Sequence, residues 1–338
     1  MNGILKKLTR QRPLITFIFI AFGFSWIFWL ILPANNPGDV PVQFLGGAFG
    51  PALAAIYVSA ALNPSLAPPK TKRRWTVFSI MLVVGSIVIW LSRDVLFAGD
   101  YSVQWLVSAA IAVLLAAYVV SNRYSRYQGV RELLHSITEW PKKTGWYLFV
   151  LLLVPICYAI SMSAFVLITG RELPDFPYDG TMQQLPLAIL AAFLLRLLFG
   201  GANEEPGWRG FVLPYLQERY SPLIASVILG VIWSLWHLPL HLNGVYSSGW
   251  IGLAQVAARI IMSLPFTLLM TWVYNRSKGN LPLVILLHAS NNTTPQFLLA
   301  GFIEQLIILI IAIVVLVQDR MWRKSAGVSR KTLHDQLS

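Results

Sequence analysis

The sequence predicts an all-α, polytopic integral membrane protein, a helical bundle of about ten transmembrane helices. Three observations carry that prediction. Hydrophobic residues make up 56% of the 338-residue chain and charged ones only 12%, which leaves too little polar surface to coat a soluble domain. Apolar runs long enough to cross a hydrocarbon core of about 30 Å recur from end to end. The basic residues collect in alternate loops between those runs, as cytoplasmic loops do.

The first run, residues 14–32, is too long and too rich in Trp and Phe for a cleaved signal, and no small-residue cleavage site follows it, so it is read as a retained span. Runs at 42–62, 75–91, 102–120 and 145–168 complete an N-terminal group. Runs at 185–199, 222–239, 250–274, 281–300 and 306–317 follow. Many of the 13 Trp lie near run ends, where an interfacial aromatic belt would place them. The Pro-rich loop 63–69 and the polar segment 122–143 read as connectors, and the last dozen residues as a frayed tail. There is no internal repeat, no low-complexity tract and no linker long enough for a soluble second domain. The chain therefore divides into a scaffold of about five spans at 1–184, a functional core at 185–302, and a final span with a basic tail at 303–338.

A net charge of +12 raises nucleic acid as a partner, but the placement of the charge argues for topology instead. Lys6, Lys7, Arg10 and Arg12 precede the first run, and Asp39 stands alone in the next loop. Lys70, Lys72, Arg73 and Arg74 follow the second run, and Arg123, Arg126, Arg131, Lys142 and Lys143 the fourth. After the fifth, Arg171 is outnumbered by Glu172, Asp175 and Asp179. Arg276 and Lys278 follow the eighth, and Arg320, Arg323, Lys324, Arg330 and Lys331 form the tail. This positive-inside alternation predicts an even number of spans with both termini in the cytoplasm, in the plasma membrane if the source is bacterial. The expected partner of the surface is the lipid bilayer, not nucleic acid. The single cysteine, Cys157, lies inside a run, so neither a disulfide framework nor a cysteine metal site is expected.

Ionisable groups inside a bilayer cost several kcal/mol unless they face a cavity or a partner. Here they gather in the C-terminal half: Arg196, Glu204, Glu205, Arg209, His237, His241 and His288, with Asn291 and Asn292 beside the last. Within the stretch GGANEEPGWRG, Gly200 and Gly201 are good helix terminators, Asn203 a good N-cap, and Pro206 suits a first turn. The expectation is one helix ending near Phe199 and another starting near Glu204; the alternative is one long helix kinked at Pro206. In the two-helix case the macrodipole favours both carboxylates in their charged form. Glu205 and Arg209 are spaced to pair on one face, while Glu204 is rotated about 100° away. Glu204 and His237 lie about 16 residues on either side of the turn at 220–222, so two antiparallel helices bring both to one depth, roughly 24 Å from that turn. His288 and Asn292 share a helix face.

Each group also has a bland reading. Glu205 and Arg209 could be a structural ion pair, a lone histidine a packing residue, and Asn292 interhelical glue. His241 reads as interfacial, and Arg196 as snorkelling or bound to a lipid phosphate. The combination of a carboxylate pair, two histidines and an asparagine within one half is what points to a site.

Glu204-Glu205-Pro-Gly-Trp-Arg209 resembles the EExxxR motif of the CPBP family of intramembrane proteases, the CAAX-protease and bacteriocin-processing family also called Rce1-like or Abi. Trp233-Ser-Leu-Trp-His237 is similar to its FxxxH motif, with Trp for Phe, a mild departure because the ring is kept. His288-Ala-Ser-Asn-Asn292 is similar to HxxxN. The resemblance covers residues 185–300 and implies peptide-bond hydrolysis inside the membrane, through a cavity facing the cytoplasm. It implies Glu204 as the base for water, aided by His237, with His288 and Asn292 stabilising the oxyanion and Glu205 and Arg209 holding the motif in shape. Acyl hydrolysis independently requires a base for water and donors for the developing negative charge.

The cofactor stays open. Glu with two His makes a plausible three-ligand zinc set, although there is no HExxH helix and no Cys ligand; the metal-free route is favoured. The resemblance implies a membrane-embedded or membrane-associated peptide or protein as substrate: a prenylated CAAX protein, a bacteriocin-like leader or a membrane-protein segment. Two other classes keep their place. A transporter could use the same residues as a relay, since broken helices at membrane depth are typical of transporters, and a non-catalytic scaffold or immunity protein could retain a protease fold.

Overall fold

The computed structural model describes residues 3–31, 43–96, 103–178, 180–242, 249–299 and 301–329. Asp39, Asp179, Arg330 and Lys331, used above for topology, lie outside the described residues. Among the described residues all regular structure is helical, apart from one isolated bridge between Leu66 and Tyr127. Among the described residues seven helices are long and apolar enough to cross a membrane: Pro13–Leu30, Leu45–Leu62, Thr71–Arg93, Trp105–Tyr124, Thr144–Thr169, Leu185–Gln217 and Gly249–Arg276. Pro222–Trp236 and Ile303–Gln318 are shorter apolar helices, and Leu281–Thr293 is shorter still. The protein is an all-α, polytopic integral membrane bundle.

Local chemistry sets the helix ends. The Ser221 hydroxyl accepts from the Ile224 amide and Pro222 fills the first position, so Pro222–Trp236 starts where its sequence says it should. Asn280 caps Leu281–Thr293 in the same way, accepting from the Leu283 amide at 3.1 Å. Thr144–Thr169 stops at Gly170, whose φ of 65° lies in the left-handed region.

The two-helix expectation for the glutamate stretch is wrong. Leu185–Gln217 is one continuous 33-residue helical path. Two wider π turns, Leu197–Gly201 and Trp208–Val212, bracket the α-helical segment Ala202–Gly207. Asn203 does not cap a new helix; its amide donates to the Phe199 carbonyl one turn back, at 2.7 Å. In lipid, a helix break strands backbone groups that no water can satisfy, so continuity outweighs the soluble-protein preferences of Gly-Gly and Asn. The segment before Pro206, which has no amide hydrogen, is accommodated between the π turns rather than by a break. Glu204 and Glu205 therefore sit mid-helix, and the first-turn macrodipole argument does not apply to them.

Glycines let this helix approach its neighbours closely. A Cβ on Gly207 would lie 2.5–2.6 Å from Pro51 atoms, backbone included, of the Gly50–Leu62 helix, and one on Gly201 would lie 2.8 Å from the Ile285 carbonyl oxygen. Small residues serve this purpose between membrane helices generally. The glutamate helix is thus wedged between Gly50–Leu62 and Leu281–Thr293, while Pro222–Trp236 packs along Gly249–Arg276.

Candidate active site

The adjacent glutamates have different surroundings. Both Glu205 oxygens accept from Arg209 Nη1, at 3.0 and 3.1 Å, and Oε1 also faces His288 Nδ1 at 2.7 Å. Glu205 and Arg209 are fully buried, as the i, i+4 spacing requires of a pair turned into the bundle. Breaking such a set by removing one charge typically costs about 3–5 kcal/mol. Glu204 points elsewhere. Its Oε2 accepts from the indole Nε1 of Trp233 at 2.9 Å, and the residue is 4% exposed.

Trp233 is the hub. Its ring lies 5.8 Å from that of His237 and 5.6 Å from that of His288, edge to face in each case. The Arg209 guanidinium carbon sits 5.0 Å from its centroid and that of Arg259 at 5.8 Å. Its Trp-for-Phe departure, read above as mild, supplies the one side-chain hydrogen bond to the Glu204 carboxylate among the described residues, which a phenyl ring could not make. That signal was in the sequence: an indole carries a donor.

His237 closes the Pro222–Trp236 helix. Its Nδ1 lies 2.8 Å from the Trp233 carbonyl oxygen, and its ring is flanked by Trp29 and Trp236 at 6.2 and 4.7 Å. Glu204, Glu205, Arg209, His237 and His288 are thus gathered around one indole, from three helices.

Asn292 is one turn past His288 and half-buried. Its Nδ2 lies 3.6 Å from where a Cβ on Gly200 would stand, which places it against the glutamate helix one turn before Glu204. Its Oδ1 accepts from Asn291 Nδ2 at 3.3 Å.

His241 is 5% exposed within the protein, and its Nδ1 lies 3.3 Å from Gln255 Oε1. Arg196 has a protein partner, because in the amide orientation that satisfies both groups the Gln296 oxygen accepts from Arg196 Nη2 and Nε, at 2.7 and 3.0 Å. Sequence reasoning also missed Arg259, 3.1 Å from His237 Nε2. Its signal was available, as an arginine inside the apolar run 250–274.

Among the described residues no three His, Cys, Asp or Glu groups converge as metal ligands. The reason is visible in the hydrogen bonds: His288 Nδ1 turns to Glu205, Glu204 Oε2 to an indole hydrogen, and His237 Nε2 to a guanidinium.

Residues 186–294 match the family of type II CAAX prenyl endopeptidase Rce1-like proteins. That stretch contains all three motifs. The chain is also similar to CAAX prenyl protease 2 of Methanococcus maripaludis, at 28% identity over 185 residues, 49% of this chain and 66% of the relative. The match spans just under two thirds of that relative's length. The family read from the three motifs is the one that both comparisons return.

Proposed function

We propose that this protein is an intramembrane endopeptidase in which Glu204 activates the attacking water. One observation carries the reading: of two neighbouring buried carboxylates, Glu205 is engaged by Arg209 and His288, whereas among the described residues Glu204 is tethered through one oxygen only. The second Glu204 oxygen, Oε1, is the acceptor for a water proton. As that proton leaves, the water oxygen attacks the scissile carbonyl carbon and the carbonyl electron pair moves onto its oxygen. Donors aimed at that oxygen in a water-poor site stabilise it far more than they would in water. The same proton then passes to the leaving amide nitrogen as the C–N bond breaks.

His288 and Asn292 are the donors in this reading. His288 Nδ1 faces a carboxylate, which only accepts, so Nδ1 carries a hydrogen. To donate from Nε2 as well, His288 must be an imidazolium, and Glu205 at 2.7 Å is its counter-charge. Glu205 thus supports the oxyanion donor besides holding Arg209. His237 assists Glu204.

The substrate in this proposal is a membrane-embedded or membrane-associated protein, of the prenylated CAAX class named for the relative. Both termini face the cytoplasm. The test is purified protein in proteoliposomes with a farnesylated peptide carrying a CAAX end. Wild type should cleave it and Glu204→Ala should not; equal cleavage by both would remove Glu204 from the mechanism.

A further inference from the structure

Arg259 lies on Gly249–Arg276, outside the three motifs, and it fixes the state of His237. The Trp233 carbonyl oxygen 2.8 Å from His237 Nδ1 only accepts, so Nδ1 carries a hydrogen. The Arg259 Nη2 group 3.1 Å from Nε2 only donates, so Nε2 presents a lone pair. Both ring nitrogens are thereby assigned by their partners. A hydrogen on Nε2 would face the guanidinium hydrogens head-on.

Arg259 is half-buried, and its Nε makes no hydrogen bond among the described residues. Its guanidinium carbon is 5.8 Å from the centroid of Trp233, the ring whose N–H holds Glu204. A cation at membrane depth is costly without a partner, and the hydrogen-bond partner of this one is a histidine lone pair. The other charged or titratable groups near His237 come from its own segment, as His241, and from the neighbouring helix, as His288.

We propose that Arg259 is a positioning residue of this site. It holds His237 as the neutral tautomer with hydrogen on Nδ1, and it occupies the Nε2 lone pair in the resting protein. Because Nδ1 is already committed to Trp233, any proton that His237 accepts enters at Nε2. The guanidinium must move off that nitrogen before His237 can share a proton with the water served by Glu204. Arg259 thus gates the assistance that His237 gives.

The tautomer assignment stands apart from the protease reading; only the gating role rests on it. Full-length protein labelled with ¹⁵N-histidine and ¹⁵N-arginine, in lipid bilayers, is measured by solid-state NMR, with His237→Asn identifying the His237 signals. The expected wild-type spectrum has a protonated Nδ1 and an unprotonated, hydrogen-bonded Nε2. Arg259→Leu should shift the Nε2 resonance, and Arg259→Lys, which keeps a charged donor, should recover part of that shift. If the Leu variant does not fold, Arg259→Gln replaces it and should shift Nε2 as well. A proton on Nε2 in the wild type, or an Nε2 signal unmoved by loss of the guanidinium, overturns the assignment. In the farnesyl-peptide assay, Arg259→Leu should raise kcat with little change in KM, because Nε2 no longer has to be vacated, and Arg259→Lys should return it part of the way to the wild-type value. An unchanged or lowered kcat in a folded Leu variant overturns the gating role. Absence of wild-type turnover would instead strike the protease reading and leave the spectra to decide the tautomer.

Discussion

Exchanging each glutamate for glutamine should break the protein in two different ways. Glu205→Gln removes the only negative charge that Arg209 contacts among the described residues, at 3.0 and 3.1 Å, and replaces one oxygen by an NH₂ that points donors at donors. The same change takes the 2.7 Å acceptor from His288. Arg209 is fully buried, so its charge has no water to fall back on. An uncompensated buried charge costs about 3–5 kcal/mol. At about 2 °C per kcal/mol for a large domain, that is a melting-point drop on the order of 6–10 °C. Glu204→Gln is gentler on the fold, because the amide oxygen can still accept from the Trp233 indole and a buried charge disappears. Its melting point should move by no more than about 2 °C, corresponding to roughly 1 kcal/mol. Turnover should fall by about 10²–10⁴, the usual cost of losing acid–base help. Melting of the solubilised proteins by tryptophan fluorescence, beside turnover of a farnesylated peptide, measures both. An active Glu204→Gln together with a folded but inactive Glu205→Gln would reverse the two roles and refute the reasoning.

Trp233→Phe keeps the ring but deletes the hydrogen bond to Glu204. Losing a bond to a charged group is worth about 1.5–3 kcal/mol, so turnover should drop roughly 10- to 100-fold; an unchanged rate would show that the indole does not position the base. Gly207→Ala drives a methyl to within 2.6 Å of Pro51 backbone atoms and should destabilise by at least about 1–3 kcal/mol, read as a lower melting temperature; no change would mean that the two helices can separate there without cost. Single cysteines at Lys72 and Asp175 in a Cys157→Ser background should label from the cytoplasmic and the opposite face respectively, and cytoplasmic labelling at Asp175 would overturn the orientation. Prolonged dialysis against a zinc chelator should leave turnover intact; loss of activity restored by zinc would establish the metal-dependent route.

Much of this was legible in the sequence, because the bilayer makes simple demands. Hydrophobic length and loop charge identified the helical bundle, since a chain in lipid has few other ways to satisfy its backbone. The polar residues that lipid penalises marked the C-terminal half as the place of the candidate site, and the i, i+4 spacing predicted the Glu205–Arg209 pair that the structure contains. Helix ends at Ser221 and Asn280 were likewise written locally, in side chains that satisfy the first turn.

What only the tertiary structure decided has a common physical cause: it depends on which groups share a desolvated space across helices. Local preference argued for a break at Gly200–Asn203, but the cost of stranded backbone groups in lipid and the close packing of Gly201 and Gly207 kept Leu185–Gln217 continuous. Spacing along one helix could separate Glu204 from Glu205 but could not say that His288 would take Glu205, or that an indole 29 residues away would take Glu204. The placement of Arg259 beside His237 is a matter of which faces of two helices meet, and no local pattern encodes that contact. Sequence names the residues that a membrane will not tolerate alone; packing alone determines which of them end up together.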